Sequence, residues 1–147
     1  MNKIKTTKTI ILAAFVVVGG LLTSCSNDDD NQEASIVGAW KSISAIEETF
    51  VGNVRESMKE ITVDDKNFEI LTFTSNGNLT IFEESKNESL SELATYTVKG
   101  KTIFISHEGE TEVEEVGSTL NENELILEYT EEDETNRYLL TVMYKRQ

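Results

Sequence analysis

Beyond residue 35 the chain predicts an all-β domain, a meander of eight short antiparallel strands that curls toward closure as a barrel or a strongly curled sandwich. Apolar and polar residues alternate at a period of two rather than 3.6. Gly, Asn and acidic clusters of turn character separate the runs. A sheet of this many strands also leaves two pairing-competent edges unless its first and last strands bond to each other.

Each element follows from the same pattern. The first strand spans 38–46 and carries Trp40, and 67–74 sets Leu71 and Phe73 against Thr72 and Thr74. Asn76-Gly77 comes next, the pair that best supplies positive φ to a tight hairpin, and Leu79 and Ile81 resume the apolar face. A second hairpin runs from 93–98, with Tyr96 and Val98 on one side, through Lys99-Gly100-Lys101 into 102–106, where Ile103 and Ile105 share a face. Residues 110–116 form a weaker strand around Val113, and 124–130 place Leu125, Leu127 and Tyr129 together. In the last strand, 137–145, Tyr138, Leu140, Val142 and Tyr144 alternate with Leu139, Thr141 and Met143, so both faces are apolar enough to be covered. The segment 46–63 reads two ways. Ile46, Phe50, Val54, Met58 and Ile61 recur at spacings of four, four, four and three, which predicts one short helix over a barrel end; Gly52 in its middle favours a loop and an extra strand near 57–63.

Composition narrows the function. The 147 residues fit one domain, and 13 Lys plus Arg against 27 Asp plus Glu give a formal charge of -14. Such a chain is repelled by nucleic acid and by anionic headgroups, so neither is an expected partner. It holds one Cys and one His. A disulfide framework, a zinc site and a Cys/His or Ser/His nucleophile system each need more than that, so no metal, no cofactor and no enzyme activity is expected.

Three of the basic residues, Lys3, Lys5 and Lys8, precede Cys25, and no acidic residue does. They open a segment whose apolar run, 10–22, has 13 residues, short of the ~20 that a membrane-spanning helix takes. Leu22-Thr23-Ser24-Cys25 then resembles the bacterial lipobox, at which a signal peptidase cuts before a diacylated Cys. Residues 1–24 are therefore expected to be a lipoprotein signal peptide. Cys25 would be the lipidated residue, with attachment to the membrane through its acyl chains, each buried CH2 contributing about 0.8 kcal/mol. Residues 25–35 read as a flexible acidic tether, since 26–33 hold no apolar residue to offset the entropy of ordering them. Acidic residues just after the Cys also resemble an export signal for the outer membrane of Gram-negative bacteria, which makes an outer-membrane, cell-surface location the expected one.

Within 36–147, four blocks occur in a recognisable order: Gly38-Ala39-Trp40 on the first strand; Phe73-Thr74-Ser75-Asn76-Gly77; Tyr96-Thr97-Val98-Lys99-Gly100; and Asn121-Glu122-Asn123-Glu124-Leu125 before a late strand. Together they resemble the lipocalin-like lipoprotein family. The resemblance implies an up-and-down barrel of eight antiparallel strands with Trp40 plugging its base, but no particular substrate.

A barrel of eight strands is either filled by its own side chains or just wide enough for one small molecule. The residues expected inside are Trp40, Ser42, Ser44, Leu71, Phe73, Ile81, Tyr96, Ile105, Leu127 and Tyr129. They describe an apolar pocket with a few hydroxyls, suited to a small hydrophobic or amphipathic ligand, and equally an ordinary solid core. Trp40 itself reads as structural. The rival function is a monomeric surface module that meets another protein through acidic loops while its barrel stays packed. His107, flanked by Glu108, Glu110 and Glu112, reads as a turn residue, and the run Glu131-Glu132-Asp133-Glu134 as a solvated loop.

Overall fold

Alternating sequence becomes alternating structure throughout residues 34–147, the part of the chain that the computed structural model describes. Nine strands form there: β1 (Gly38–Val51), β2 (Val54–Ile61), β3 (Phe68–Phe73), β4 (Asn78–Ser85), β5 (Glu88–Lys99), β6 (Thr102–His107), β7 (Val113–Leu120), β8 (Glu124–Glu132) and β9 (Asn136–Arg146). Every pairing is antiparallel. β3 to β9 pair in chain order, β1 pairs with both β3 and β9, and the result is a closed ring of eight strands with β2 as an extra one. The expected signal segment, Cys25 and all of the expected tether but Ala34 and Ser35 lie outside the described residues.

Segment 46–63 holds no helix. It is a β-hairpin in which β1 runs on to Val51, turns at Gly52 (φ 58°) and returns as β2. A spacing of four is also twice the strand period, so Ile46 and Phe50 share one face of an extended chain as readily as of a helix. Gly52 sits where a left-handed residue is needed.

β1 serves two neighbours along one edge. Gly38–Lys41 pair with β3, whereas Ala45–Val51 pair with β2, which therefore rises beside the barrel. A bulge between Ser42 and Ser44 in the β1–β9 ladder marks the change. The extra residue reverses the alternation, so Ser42 is buried and Ala45 resumes the core, while Ser44 is exposed, outside the barrel where it was expected inside. The strand expected at 110–116 is also displaced. β7 begins at Val113, which is exposed, and its core residue is Val116.

The turns sort into two ends. The base carries 74–78, 99–102 and 120–124; the mouth carries 85–88, 107–113 and 132–136. At the base Thr74 and Asn78 close the first turn, with Gly77 (φ 84°) taking the left-handed position and donating its N–H to Thr74 O at 3.1 Å. The Tyr96 hydroxyl donates to Thr74 O at 2.8 Å and its ring meets Phe73 edge-on at 4.8 Å. At the mouth, Asp133 accepts hydrogen bonds from Thr135 N, Asn136 N and Asn136 Nδ2. Those donors hold its carboxyl at about 2, so the acidic run there is a built turn as well as a solvated one.

Trp40 plugs the base. It is fully buried, and its indole N–H donates to Ile36 O at 2.7 Å. Beneath it lies Arg146, its guanidinium carbon 4.1 Å from the ring centre. Arg146 donates to Val37 O at 2.9 Å, Ser35 O at 2.6 Å and Glu122 O at 2.7 Å, tying the first and last described segments together. Gly38 explains the Gly-x-Trp pattern. Its φ of 138° suits glycine, and a Cβ there would stand 2.8 Å from Arg146 Nη1.

Candidate functional site

The barrel interior has two chemistries, one above the other. Toward the base it is apolar and filled: Trp40, Leu71, Phe73, Leu79, Ile103, Ile105, Leu125, Leu127 and Val142 are all at most 2% exposed. Burying one such side chain contributes about 1.5–3 kcal/mol, which is what holds the ring together. Of the residues expected to line a pocket, Trp40, Leu71, Phe73, Ile81, Ile105 and Leu127 belong to this core, with Tyr96 packed against it. Ser42 and Tyr129 stand above it, among the polar groups.

Toward the mouth the inward rows change character. Cross-strand registers place Glu69 opposite Glu83, Ile81 opposite Glu92, Ala94 opposite His107 and Ile105 opposite Glu114. Each is the next inward position along a strand whose earlier inward residues are apolar, so on β3 to β7 the apolar interior row gives way to an ionisable side chain. Glu69 is only 6% exposed. Its backbone N–H donates to Ser42 Oγ at 2.8 Å, and one carboxylate oxygen accepts the Tyr144 hydroxyl at 2.5 Å.

Tyr144 is fully buried, and its phenol is also hydrogen-bonded to that of Tyr129. Tyr144 gives its single proton to Glu69, and with Tyr129 beside it the three groups form a relay, Tyr129–Tyr144–Glu69. Burial is the main reason both phenols are pushed well above the usual tyrosine value. The charge of Glu69 adds to that push on each, and Glu114 and Glu83 add to it on Tyr129. The relay therefore stays protonated at any physiological pH, as donors facing carboxylates.

His107 is no turn residue. It is the last residue of β6, its side chain only 13% exposed, with Nδ1 2.5 Å from Glu92 Oε1 and Nε2 3.2 Å from Glu114 Oε2. Burial pulls its pKa down, but the hydrogen bonds and charges of Glu114 and Glu92 outweigh that and raise it above 6.5. Its partners lie across the ladder on β5 and β7. Glu108, Glu110 and Glu112, its neighbours in sequence, are exposed.

Ser42, Glu69, Glu83, Glu92, His107, Glu114, Tyr129 and Tyr144 thus form one polar layer over an apolar floor. Most of it escaped the reading of the sequence, although strand parity alone marks Glu69, two residues before Leu71, and Glu83, two after Ile81, as inward. Among the described residues no group of three or more His, Cys, Asp or Glu side chains is arranged to hold a metal ion. At the rim, a cleft of about 350 Å3 opens between the 62–67 turn and the β4–β5 turn, lined by Thr62, Asp64, Asn67, Ser85, Lys86 and Asn87.

Comparison with known proteins follows the fold. In structure, the chain is similar to the isotype 1 transferrin binding protein B of serogroup B Neisseria meningitidis, with a TM-score of 0.46 and 10% identity. The match covers 79% of this chain and 26% of that one, so this chain spans about a quarter of that protein's length. No curated protein matches it in sequence. The model of a lipocalin-like domain matches residues 36–127, more than half of the chain and most of the ring. The eight-stranded closure, the plugged base and that match agree, and the chain belongs to the lipocalin-like domain family.

Proposed function

We propose that this chain is a lipid-anchored surface protein that binds a small amphipathic molecule at the mouth of its barrel, with the positively charged end of the molecule toward the carboxylates. The division of the interior carries this reading. Since the floor is filled by the chain's own side chains, a ligand's place is in and above the polar layer, where Glu83, Glu92 and Glu114 are half-buried. A half-buried carboxylate attracts a cation more strongly than one in bulk water. The wall formed by β2 and the end of β1 supplies apolar stems beside that layer, and the chemistry is binding rather than catalysis.

The membrane anchor rests on Cys25 and the lipobox resemblance. Cys25→Ser is expected to move the protein from the membrane to the soluble fraction, read by fractionation; continued membrane attachment would refute the anchor.

The ligand reading is tested by calorimetric titration with a saturated alkylamine and with the fatty acid of equal length. The amine is expected to bind, several-fold more weakly after Glu83→Gln, and the acid not to bind. Equal binding of both would remove the charge argument. If neither binds, and native mass spectrometry of the protein from its own cells finds no retained molecule, the filled interior favours instead a module that meets another protein.

A further inference from the structure

We propose that His107 is a proton-controlled clasp that holds β5, β6 and β7 together at the barrel mouth and lets go of one neighbour when its imidazolium loses a proton. The geometry requires the charged form. A carboxylate oxygen only accepts hydrogen bonds, and both ring nitrogens face one, so both must donate, which only the imidazolium does. The neutral ring has a single N–H. One of Glu92 and Glu114 then meets a lone pair.

Position makes this consequential. Ala94–His107 is the last pair of the β5–β6 ladder, followed by one more backbone bond from Glu108 N to Leu93 O at 3.1 Å, and Ser106–Val113 is the last pair of the β6–β7 ladder, so His107 stands where backbone pairing runs out and the 108–112 turn begins. Its side chain extends the grip of β6 on both neighbours past that limit. The groups around it are of one sign: Glu92 on β5, Glu114 on β7, Glu83 on β4, Glu69 on β3, and Glu108, Glu110 and Glu112 in its own turn. The phenols of Tyr129 on β8 and Tyr144 on β9 are neutral. The basic residues of these three strands and of the turn between β5 and β6, Lys99 and Lys101, lie at the base, and the cation at this end, Lys86, is exposed in the β4–β5 turn. Deprotonation therefore leaves carboxylates facing carboxylates.

The sign follows from linkage. His107 is raised in the folded state, so its contribution to stability is complete below about 6.5 and is lost as pH rises through the folded value. The loss is local, at the mouth between β5 and β7. This proposal does not depend on the identity of any ligand.

The chain has one His, so 13C-histidine labelling of the full protein in detergent micelles gives a single imidazole titration. It is expected above 6.5 and to move down in Glu114→Gln. Amide protection at 92–94 and 106–114, corrected for the intrinsic exchange rate, is expected to fall several-fold across that titration, while 71–80 at the base holds. His107→Gln should abolish the step. A titration at or below 6.5, or an unchanged step in His107→Gln, would overturn the clasp.

Discussion

Trp40→Ala is expected to lower the unfolding free energy by about 3–5 kcal/mol, the loss usual for truncating a large buried aromatic. Against the ~5–15 kcal/mol that stabilises an ordinary domain, this leaves the barrel marginal. The ring is fully buried, donates to Ile36 O and stacks on Arg146, so truncation opens a void and strips the guanidinium of its aromatic partner in one step. Trp40→Phe should retain much of the packing and lose mainly the hydrogen bond, costing about 1–2 kcal/mol. Urea unfolding followed by circular dichroism measures both. Equal losses would mean that filling the base is not what Trp40 does.

The second large effect is expected from removing one oxygen atom. Tyr144→Phe takes a charge-assisted hydrogen bond from buried Glu69 and a polar partner from Tyr129, and should cost about 3 kcal/mol. Glu69→Gln in the same background should cost much less than Glu69→Gln alone, because the interaction it would break has already gone. A double-mutant cycle from unfolding curves tests this; additive losses would show that the relay does not act as a unit.

Much of the fold was legible because strand parity survives in a small barrel. Leu71, Phe73, Leu79, Ile103, Ile105, Leu125 and Leu127 were placed inside by alternation alone and are the observed core. Three features were not legible, each for a physical reason. Within 46–63 the spacing of four, from Ile46 to Phe50 and from Val54 to Met58, suits helix and strand alike. Ser44 lies beyond a bulge, and one inserted residue reverses every later position of its strand. Lastly, the polar layer is made by residues distant in sequence: Tyr144 reaches Glu69 and His107 reaches Glu92 across the barrel or the ladder, while local sequence offers His107 three glutamates that it does not use. Charged residues at the ends of apolar rows read naturally as turn residues, and here they point inward.

Because β1 bonds directly to β9, the ring joins Trp40 to Arg146, residues more than a hundred positions apart. Contacts so remote are slow to form, since the entropy of bringing the chain ends together precedes any reward from pairing. Until β9 docks, the chain carries two raw margins, on β1 and on β8, each ready to recruit a neighbouring molecule. For this protein, the hazardous interval is the one before its final strand seals the ring.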